Sequence, residues 1–421
     1  MKITTITKKP ANRAKRHPMT VPFFRPGIGE EEQKAVAGVL ASGWLTTGSV
    51  VRRFERRFAA YLDVPEVVAL NSCTAALHLA LEAAGVRRGD LVLVPSMTFA
   101  ATAEVVRYLG ARPVLVDSDP ETLCIDPNAV EDTVTRLRRR GHLKAVIPVH
   151  YGGQMADMTR LREVAERHGL RIVEDAAHTL PAYLREGAGD EWRMVGNTSG
   201  LTCFSLYANK CITTGEGGMV AVHEAEEAER IRLMSLHGLS AAPADLREKL
   251  GSWCYEIVAP GYKYNLTDVA AAIGLCQLEK ADEFWRGRRR VARAYQERLA
   301  GFGDLLEPPR ELPDRRSSWH LYPIRLRLEA LSVGRDLVIK ALRERGVACS
   351  VHWMPLHLHS YYRRRYGYGE TDCPVAGREW RRLISLPIYP SMTEDEIDYV
   401  TENLWQILTA NRRVFSAMAG A

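Results

Sequence analysis

One lysine in the middle of the chain has neighbours that suit it for covalent chemistry. Lys210 follows an apolar, strand-like run at residues 203–206 and precedes a glycine-rich turn at residues 215–218. An amine at the mouth of a sheet, desolvated by apolar neighbours, can lose its proton and attack an aldehyde carbon. Lys210 is therefore a candidate for covalent attachment of an aldehyde. An exposed lysine beside a loop would show the same local pattern.

A carboxylate upstream of this lysine points to a cofactor. Residues 171–177 are typical of a buried strand, Asp175 lies near its end, and His178 follows three residues later. Pyridoxal phosphate (PLP) withdraws electrons only while its pyridine nitrogen stays protonated, and an aspartate at a strand end can hold that proton. We predict that Asp175 does so and that His178 reaches the ring hydroxyl. A helix N-cap at Asp175 and a core position for His178 remain alternatives.

A third segment has the outline of a phosphate site. After the apolar residues 69–70, a short polar turn with Ser72, Cys73 and Thr74 leads into an Ala/Leu-rich helix. The first amides of a helix have no internal partners and lie at the positive end of its dipole, so they can bind a phosphate dianion. An ordinary Ser/Thr N-cap is the alternative.

The order of these elements resembles that of the fold-type-I PLP enzymes, and more narrowly the DegT/DnrJ/EryC1/StrS family of sugar aminotransferases. The resemblance extends from about Val21 to about Leu408. It includes five further segments, at residues 43–48, 95–102, 150–158, 261–268 and 352–357. It implies an α/β fold with a mostly parallel sheet flanked by helices and a smaller α+β domain at the C-terminus.

The resemblance also implies a role for each residue around the cofactor ring. Lys210 would form the internal aldimine and later move a proton between the substrate carbon and the cofactor carbon. Asp175 would pair with the pyridine nitrogen, and His178 would lie near the ring oxygen. Phe99 would stack on the ring.

The phosphate contacts follow from the same resemblance. Cys73, Thr74 and Ser205, with the neighbouring Ser72, would hold the phosphate, and Asn265 of a second subunit would reach it. A homodimer with shared sites is therefore implied. Cys73 departs from the family pattern, because many relatives have glycine there. A backbone-amide contact survives that change, but a side chain now lies near the cofactor.

The retained lysine favours transamination, because relatives with histidine at this position resemble sugar dehydratases. By resemblance, L-glutamate would donate its amino group, pyridoxamine phosphate would carry it, and a nucleotide-linked deoxysugar ketone would accept it. Such a step belongs to deoxyaminosugar biosynthesis for a natural product or a surface glycan. Residues 210–218 are more similar to relatives that aminate C4 of a 4-keto-6-deoxy sugar than to those that act at C3.

Other reactions remain open at this point. An aminotransferase of a keto-cyclitol or of a C3-keto sugar would share the cofactor residues. A non-transaminating PLP enzyme, such as an aminobenzoate-type synthase, would share them too.

Four residues outside the cofactor motifs are candidates for the sugar-nucleotide cleft, namely Lys263, His320, Tyr322 and His352. A packing role suits each of them equally. The spacing of His352, His357 and His359 also suggests a metal site, but no cysteine or carboxylate stands at ligand spacing, so we predict no metal.

Composition limits the partners. The chain has 421 residues, 46% hydrophobic and 26% charged, with no run of the roughly 18 apolar residues that a membrane helix needs. Six cations in residues 1–20 account for the net charge of +6, so the remainder is formally neutral and does not indicate nucleic-acid binding. We predict a disordered basic tail over residues 1–20.

Eight scattered cysteines without a C-x-x-C pair indicate reduced thiols and a cytoplasmic protein.

Apolar runs alternate with helical stretches after the tail. The predicted strands are at residues 91–95, 113–117, 145–150, 171–177, 201–205 and 218–222. Ligands bind beyond the carboxyl ends of such strands, where His150, Asp175 and Ser205 fall. Farther on, strands at 319–328 and 347–351 and helices at 334–345 and 394–409 predict a second domain. We divide the chain into a PLP-binding domain at 21–283 and a small domain at 284–421. A basic run at 286–293 is expected on a solvated helix face between them.

Overall fold

The computed structural model describes residues 19–139, 141–187, 189–240 and 255–413. Residues 1–18 of the predicted basic tail and 414–421 of the predicted small domain lie outside this part of the chain. The strands of the described residues are β1 (Glu66–Leu70), β2 (Leu91–Pro95), β3 (Arg112–Val116), β4 (Leu143–Val146), β5 (Arg171–Asp175), β6 (Tyr183–Leu184), β7 (Arg193–Met194), β8 (Leu201–Ser205), β9 (Gly218–Val222), β10 (Leu306–Glu307), β11 (Arg315–Arg316), β12 (Tyr322–Leu326) and β13 (Leu383–Leu386).

A seven-stranded sheet with the order β1, β9, β8, β5, β4, β2, β3 forms the centre of the larger body. From β3 to β8 every neighbouring pair is parallel, whereas β9 runs antiparallel to both β8 and β1. The predicted α/β fold with a mostly parallel sheet is confirmed. Strands β2 and β9 are buried along their whole length, which is expected of strands with helices on both faces.

Helices cover both faces of this sheet. They also form much of a second body, which is built around the three-stranded sheet β10-β12-β13. They are α1 (Glu30–Ser42), α2 (Ser49–Leu62), α3 (Cys73–Ala83), α4 (Ala100–Tyr108), α5 (Pro127–Leu137), α6 (Met158–His168), α7 (Ala225–Ser235), α8 (Asp268–Glu279), α9 (Ala281–Leu299), α10 (Arg335–Glu344), α11 (Ser360–Tyr366), α12 (Pro374–Glu379) and α13 (Glu394–Ala410). Helix α3 packs against β8 and β9, so its N-terminus lies beside the ends of those strands. No helix in the described ranges combines the length and the apolar character that a membrane crossing requires.

Two hydrophobic cores organise the chain. The first fills the space around the seven-stranded sheet, and the second lies between α9, α10, α13 and the sheet β10-β12-β13. The cores interleave along the sequence, because Val21 belongs to the second core while Leu356 and Tyr362 belong to the first. The domain division predicted at residue 283 falls inside α9 and remains a prediction.

Two predictions about the second body are wrong. Residues 347–351 do not form a strand, since Val347 and Ser350 make only isolated bridges, to Val21 and Ser385. Strand β12 pairs with β10 and β13 instead, and the local pattern of apolar residues does not reveal which segments pair with it. The basic run at 286–293 is not wholly solvated either. Arg288 is buried because it shares a helix face with the buried Tyr295.

A long-range helix cap joins the start of α2 to the start of α8. Asp268 is buried, and its carboxylate accepts hydrogen bonds from the amides of Gly48 (2.8 Å) and Val51 (2.9 Å). The N-cap residue of α2 is Gly48 and offers no side chain for this purpose. Thr47 donates from the same turn to the Leu266 carbonyl. Asp268 therefore supplies in trans the cap that α2 lacks.

We expect Asp268→Ala to destabilise the protein by about 2 kcal/mol, because buried helix amides lose their acceptor. The unfolding midpoint in urea should fall, and hydrogen exchange should accelerate at Gly48 and Val51. Asp304→Ala is the matched control, since Asp304 pairs with Arg412 at the surface and exposed pairs contribute little. Equal midpoints for the two variants would contradict the capping role of Asp268.

Candidate active site

A cavity of about 470 Å³ opens at the carboxyl ends of β5 and β8. Ten of the thirteen residues predicted for the site line it: Ser72, Cys73, Thr74, Phe99, Asp175, His178, Ser205, Lys210, His320 and His352. The sequence shows only the order of these residues along the chain and says nothing of the distances between them. In the fold they face one space because parallel strands end at the same edge of a sheet.

The carboxylate of Asp175 is held by two hydrogen bonds. Asp175 ends β5, its Oδ2 accepts from Thr102 Oγ1 (2.9 Å), and its Oδ1 accepts from the Ala177 amide (3.1 Å). Thr98 Oγ1 lies 2.7 Å from Thr102 Oγ1 and orients that hydroxyl. Burial raises the pKa of Asp175, and these hydrogen bonds oppose the rise. The carboxylate is fixed in direction and lies in a setting that favours a nearby cation.

A second carboxylate of the same strand points to the other face of the sheet. Glu174 and His150 are fully buried, and His150 Nε2 lies 2.8 Å from Glu174 Oε2. The Ala156 amide donates to His150 Nδ1 (3.1 Å), so the ring proton is on Nε2 and is donated to Glu174. Burial would raise the pKa of Glu174, but the hydrogen bonds from His150 and Thr198 lower it overall. This pair anchors the end of β5 that carries Asp175.

The amine of Lys210 is desolvated in the turn after β8. Its backbone amide bonds the Tyr207 carbonyl at 3.0 Å. Burial lowers the pKa of Lys210, while the nearby Asp175 carboxylate raises it by a smaller amount. The neutral amine is therefore more accessible to Lys210 than to an exposed lysine.

The start of α3 forms a compact anion site. Ser72 caps the helix through Oγ, which accepts from the Ala75 amide (3.1 Å), and the amides of Cys73 and Thr74 lie in the first turn. Gly218 of β9 packs directly on this turn, since a Cβ there would lie 2.4 Å from the Ser72 carbonyl carbon. Burial raises the pKa of the Cys73 thiol well above its usual value. Cys73 is therefore a neutral side chain beside the anion site.

Three imidazoles line the opposite wall. The rings of His178 and His320 lie 4.4 Å apart, and His178 stacks on Trp353 at 5.0 Å. The Gly152 amide donates to His178 Nδ1 (3.3 Å), so Nε2 holds the proton. Burial first, and the charge of Lys210 second, lower the pKa of His178 and bring that of His352 to about 4. These imidazoles are neutral at physiological pH.

Three of the predicted site residues lie outside this cavity. The expectation that Tyr322 lines the cleft is wrong, because β12 turns its side chain into the second core, where it packs on Tyr295 at 4.8 Å. Lys263 and Asn265 lie elsewhere on the surface and bond each other. Asn265 Nδ2 also donates to Thr47 Oγ1 (2.7 Å). Within one chain, neither Lys263 nor Asn265 reaches Lys210.

The histidines considered for a metal do not converge. His352 Nδ1 lies 2.8 Å from Ser385 Oγ, and His357 Nδ1 lies 2.7 Å from Ser96 Oγ. In the part of the chain that the structure describes, no three His, Cys, Asp or Glu side chains are arranged as a metal site.

Sequence reasoning missed Thr102 and Trp353. Thr102 lies three residues after Phe99, one helical turn farther along α4, and this spacing is a usable signal. Trp353 follows His352 directly, and nothing in the sequence indicates that both rings contact the same cavity.

The residues of the cavity fit PLP. The helix N-terminus suits a phosphate, and Asp175 suits a protonated pyridine nitrogen. Phe99 is 61% exposed at the cavity mouth, so its ring face is open to a planar ligand. Lys210 lies in the same cavity and can reach the aldehyde of such a ligand.

Comparisons with known proteins agree with this geometry. The profile of the DegT/DnrJ/EryC1/StrS aminotransferase family matches residues 26–405. The spore coat polysaccharide biosynthesis protein SpsC of Bacillus subtilis is 42% identical over 389 residues, which are 92% of this chain and 97% of SpsC. The sugar aminotransferase Spr1654 from Streptococcus pneumoniae, solved in PLP and pyridoxamine phosphate forms, superposes with TM-scores of 0.84 and 0.85. In the latter form it is 33% identical, over 93% of this chain and all of Spr1654.

DesV of S. venezuelae superposes with a TM-score of 0.83 at 32% identity, over 94% of this chain and 99% of DesV. The fold and the site thus define a PLP-dependent transaminase of fold type I. The chain belongs to the DegT/DnrJ/EryC1/StrS aminotransferase family, whose solved neighbours are sugar aminotransferases.

We expect Thr102→Val to weaken PLP binding about 5- to 10-fold, which corresponds to roughly 1 to 1.4 kcal/mol for one lost hydrogen bond to a carboxylate. The pKa of Asp175 should rise further without this donor, so the loss should grow as the pH falls and Asp175 becomes protonated. A PLP titration followed by protein fluorescence at pH 6 and pH 8 measures both effects. Thr102→Ser keeps the hydroxyl and should bind as the wild type does. If Thr102→Val binds PLP as tightly as the wild type does at both pH values, the role of Thr102 is refuted.

Proposed function

We propose that this enzyme moves the amino group of L-glutamate to C4 of a nucleotide-linked 4-keto-6-deoxy sugar. The observation that carries the proposal is the convergence of Lys210 and Asp175 with the α3 N-terminus in one cavity. Residues 210–218 favour C4, through their resemblance to C4 aminotransferases. SpsC is a spore coat polysaccharide biosynthesis protein, and this relative favours a surface glycan as the destination of the sugar.

In this proposal each cofactor-binding residue has a task. Asp175 would hold the pyridine nitrogen, and Phe99 would cover one face of the ring. The first turn of α3 together with Ser205 would hold the phosphate, and His178 would lie beside the ring oxygen. Bound PLP supplies the electron sink that stabilises a carbanion at the substrate carbon.

Lys210 performs the proton transfers. Its desolvated amine accepts the α-proton of the amino donor and returns a proton to the sugar carbon, so one base serves both halves of a ping-pong reaction. The lowered pKa of Lys210 keeps enough free amine for the first of these transfers. Burial lowers the pKa of His178, His320 and His352, so these weak bases do not compete for that proton.

We further propose a homodimer with shared sites, in the cytoplasm. Asn265 faces a separate cavity of about 470 Å³ that Arg52, Arg56 and Arg232 also line. Its side chain is anchored by Thr47, on the turn that Asp268 caps. A second subunit docked there would receive Asn265 at its phosphate site. The free state of all seven cysteines in the described residues supports a reducing compartment.

The function is tested with PLP, L-glutamate and a panel of ketones. We expect L-glutamate to convert the visible absorbance of bound PLP to that of pyridoxamine phosphate, with release of 2-oxoglutarate. A nucleotide-linked 4-keto-6-deoxy sugar should then restore the first spectrum, faster than a 3-keto sugar or a keto-cyclitol. Lys210→Ala should bind PLP and melt normally but show no turnover, whereas Lys340→Ala, at an exposed lysine, should be unaffected.

A preference for the keto-cyclitol would show instead that the enzyme acts in aminocyclitol biosynthesis. A spectrum that L-glutamate leaves unchanged would exclude this amino donor. Turnover by Lys210→Ala at the wild-type rate would remove the lysine from the mechanism.

The shared site is tested by mixing two inactive variants. Lys210→Ala and Asn265→Ala subunits, exchanged at equal concentrations, should form mixed dimers in which one of the two sites is intact. About a quarter of wild-type activity should then return, because half of the dimers are mixed and each has one working site. Subunit exchange without any recovery would count against a contribution of Asn265 across the dimer.

A further inference from the structure

The guanidinium of Arg288 is buried behind the imidazole wall of the site. Arg288 lies on α9 and is only 4% exposed. Its Nη1 donates to the carbonyls of Trp319 (3.4 Å), His320 (3.4 Å) and Ile388 (3.0 Å).

Within the described ranges, no carboxylate pairs with this cation. The next residues of the helix, Arg289 and Arg290, pair with Glu311 and Glu394. Arg288 forms no ion pair with any residue that the structure describes, and its Nε has no hydrogen-bond partner there.

Burial of a cation without an ion-pair partner is energetically unfavourable. Desolvating a charged group costs several kcal/mol even after relaxation, and three carbonyl acceptors offset only part of it. Burial lowers the pKa of Arg288, yet a guanidinium stays charged at any physiological pH. An apolar side chain would pack beside Tyr295 on α9 at lower cost. Packing alone therefore does not explain an arginine at this position.

The carbonyls that Arg288 binds belong to the turn that carries His320 into the cavity. Trp319 has a φ of 53°, a left-handed conformation that bulky residues rarely adopt. The turn is held from the other side by Ser318 Oγ, which donates to the His178 carbonyl (2.7 Å). The His320 ring then lies 4.4 Å from the His178 ring. Arg288 thus fixes from behind a strained turn whose front contacts the cofactor cavity.

We propose that Arg288 is a positioning residue for the transamination: it acts through His320, by holding the turn of residues 319–320 and by keeping a positive charge behind the His320 ring. Nothing in this assignment depends on which sugar is the acceptor. It rests on PLP-dependent transamination and on the geometry of the chain.

The charge of Arg288 has a consequence for protonation. His320 is faced by His178 from the turn after β5, by Lys210 from the turn after β8, by Arg288 from α9 and by His352. Burial is the largest cause that lowers the pKa of His320, and all four groups add to it. Without the guanidinium, the pKa of His320 rises. A proton on this ring would then repel the cationic form of Lys210 and the pyridine proton held by Asp175.

Arg288→Met and Arg288→Lys separate position from charge, with the exposed Arg293→Met of the same basic run as control. Histidine NMR signals of the apoenzyme are titrated, and the His320 signal is assigned by its loss in His320→Gln. The pKa of His320 should rise in Arg288→Met and stay near the wild-type value in Arg288→Lys. A His320 titration in Arg288→Met identical to the wild type would overturn the electrostatic part. This readout needs neither cofactor nor substrate, so it is independent of the sugar assignment.

Kinetics with L-glutamate test the positioning part. We expect Arg288→Met to slow the conversion of bound PLP to pyridoxamine phosphate by saturating L-glutamate about 10- to 100-fold, as misplacement of a site wall by about 1 Å can do. His320→Gln and the double variant Arg288→Met/His320→Gln should then agree within about 2-fold, because the effect of Arg288 passes through His320. Losses that multiply in the double variant would show an effect of Arg288 independent of His320 and would overturn the proposal.

Should Arg288→Met fail to fold, Arg288→Lys decides the matter, since the lysine side chain is one atom shorter and its ammonium does not reach the point where Arg288 Nη1 meets the three carbonyls. A slower half-reaction with L-glutamate in Arg288→Lys that disappears in the His320→Gln background supports the proposal. If Arg288→Lys slows the reaction equally in the His320→Gln background, or does not slow it at all, the proposal is overturned.

Discussion

Burial of an amine and a carboxylate at the same edge of the sheet is the constraint on which the site depends. Desolvation lowers the pKa of Lys210 and raises that of Asp175, so each group is pushed towards its neutral form. Each charge partly stabilises the other. A protonated pyridine nitrogen beside Asp175 would satisfy the carboxylate and so release Lys210 to act as a base. The buried carboxylate therefore suits a cationic ring, and this pairing would link cofactor binding to the reactivity of the lysine.

The rest of the fold serves to keep that carboxylate in place. Strand β5 is central and parallel to β4 and β8, and it carries acidic residues on both faces at its end. Glu174 is satisfied by His150 on one face and Asp175 by Thr102 on the other. A buried carboxylate is tolerated only with good hydrogen-bond partners. Hydrogen bonds on both faces restrain the end of the strand and fix the direction of the Asp175 carboxylate.

Much of this arrangement could be predicted from the sequence. Strands β2, β8 and β9 have the predicted bounds. Strands β2 and β9 contain no polar side chain, the pattern that burial on both faces requires. The phosphate turn, Asp175 and Lys210 were found because their chemistry demands particular residue types at strand ends. Local pattern does not identify a distant partner, so the sequence could not place Asn265 relative to Lys210, nor show that residues 347–351 bridge to Val21 instead of forming a strand.

The burial of Arg288 could have been predicted from the helical spacing of the apolar residues that follow it. Residues 288, 291, 292 and 295 are spaced as one helix face, and three of them are apolar. An arginine on such a stripe must be buried, whatever the number of exposed arginines beside it. A site that first receives an amino acid and then a sugar cannot match both shapes closely. Fixed features that act on either occupant, such as a rigid imidazole wall with a permanent cation behind it, are then the more effective way to stabilise the charge changes that both half-reactions share.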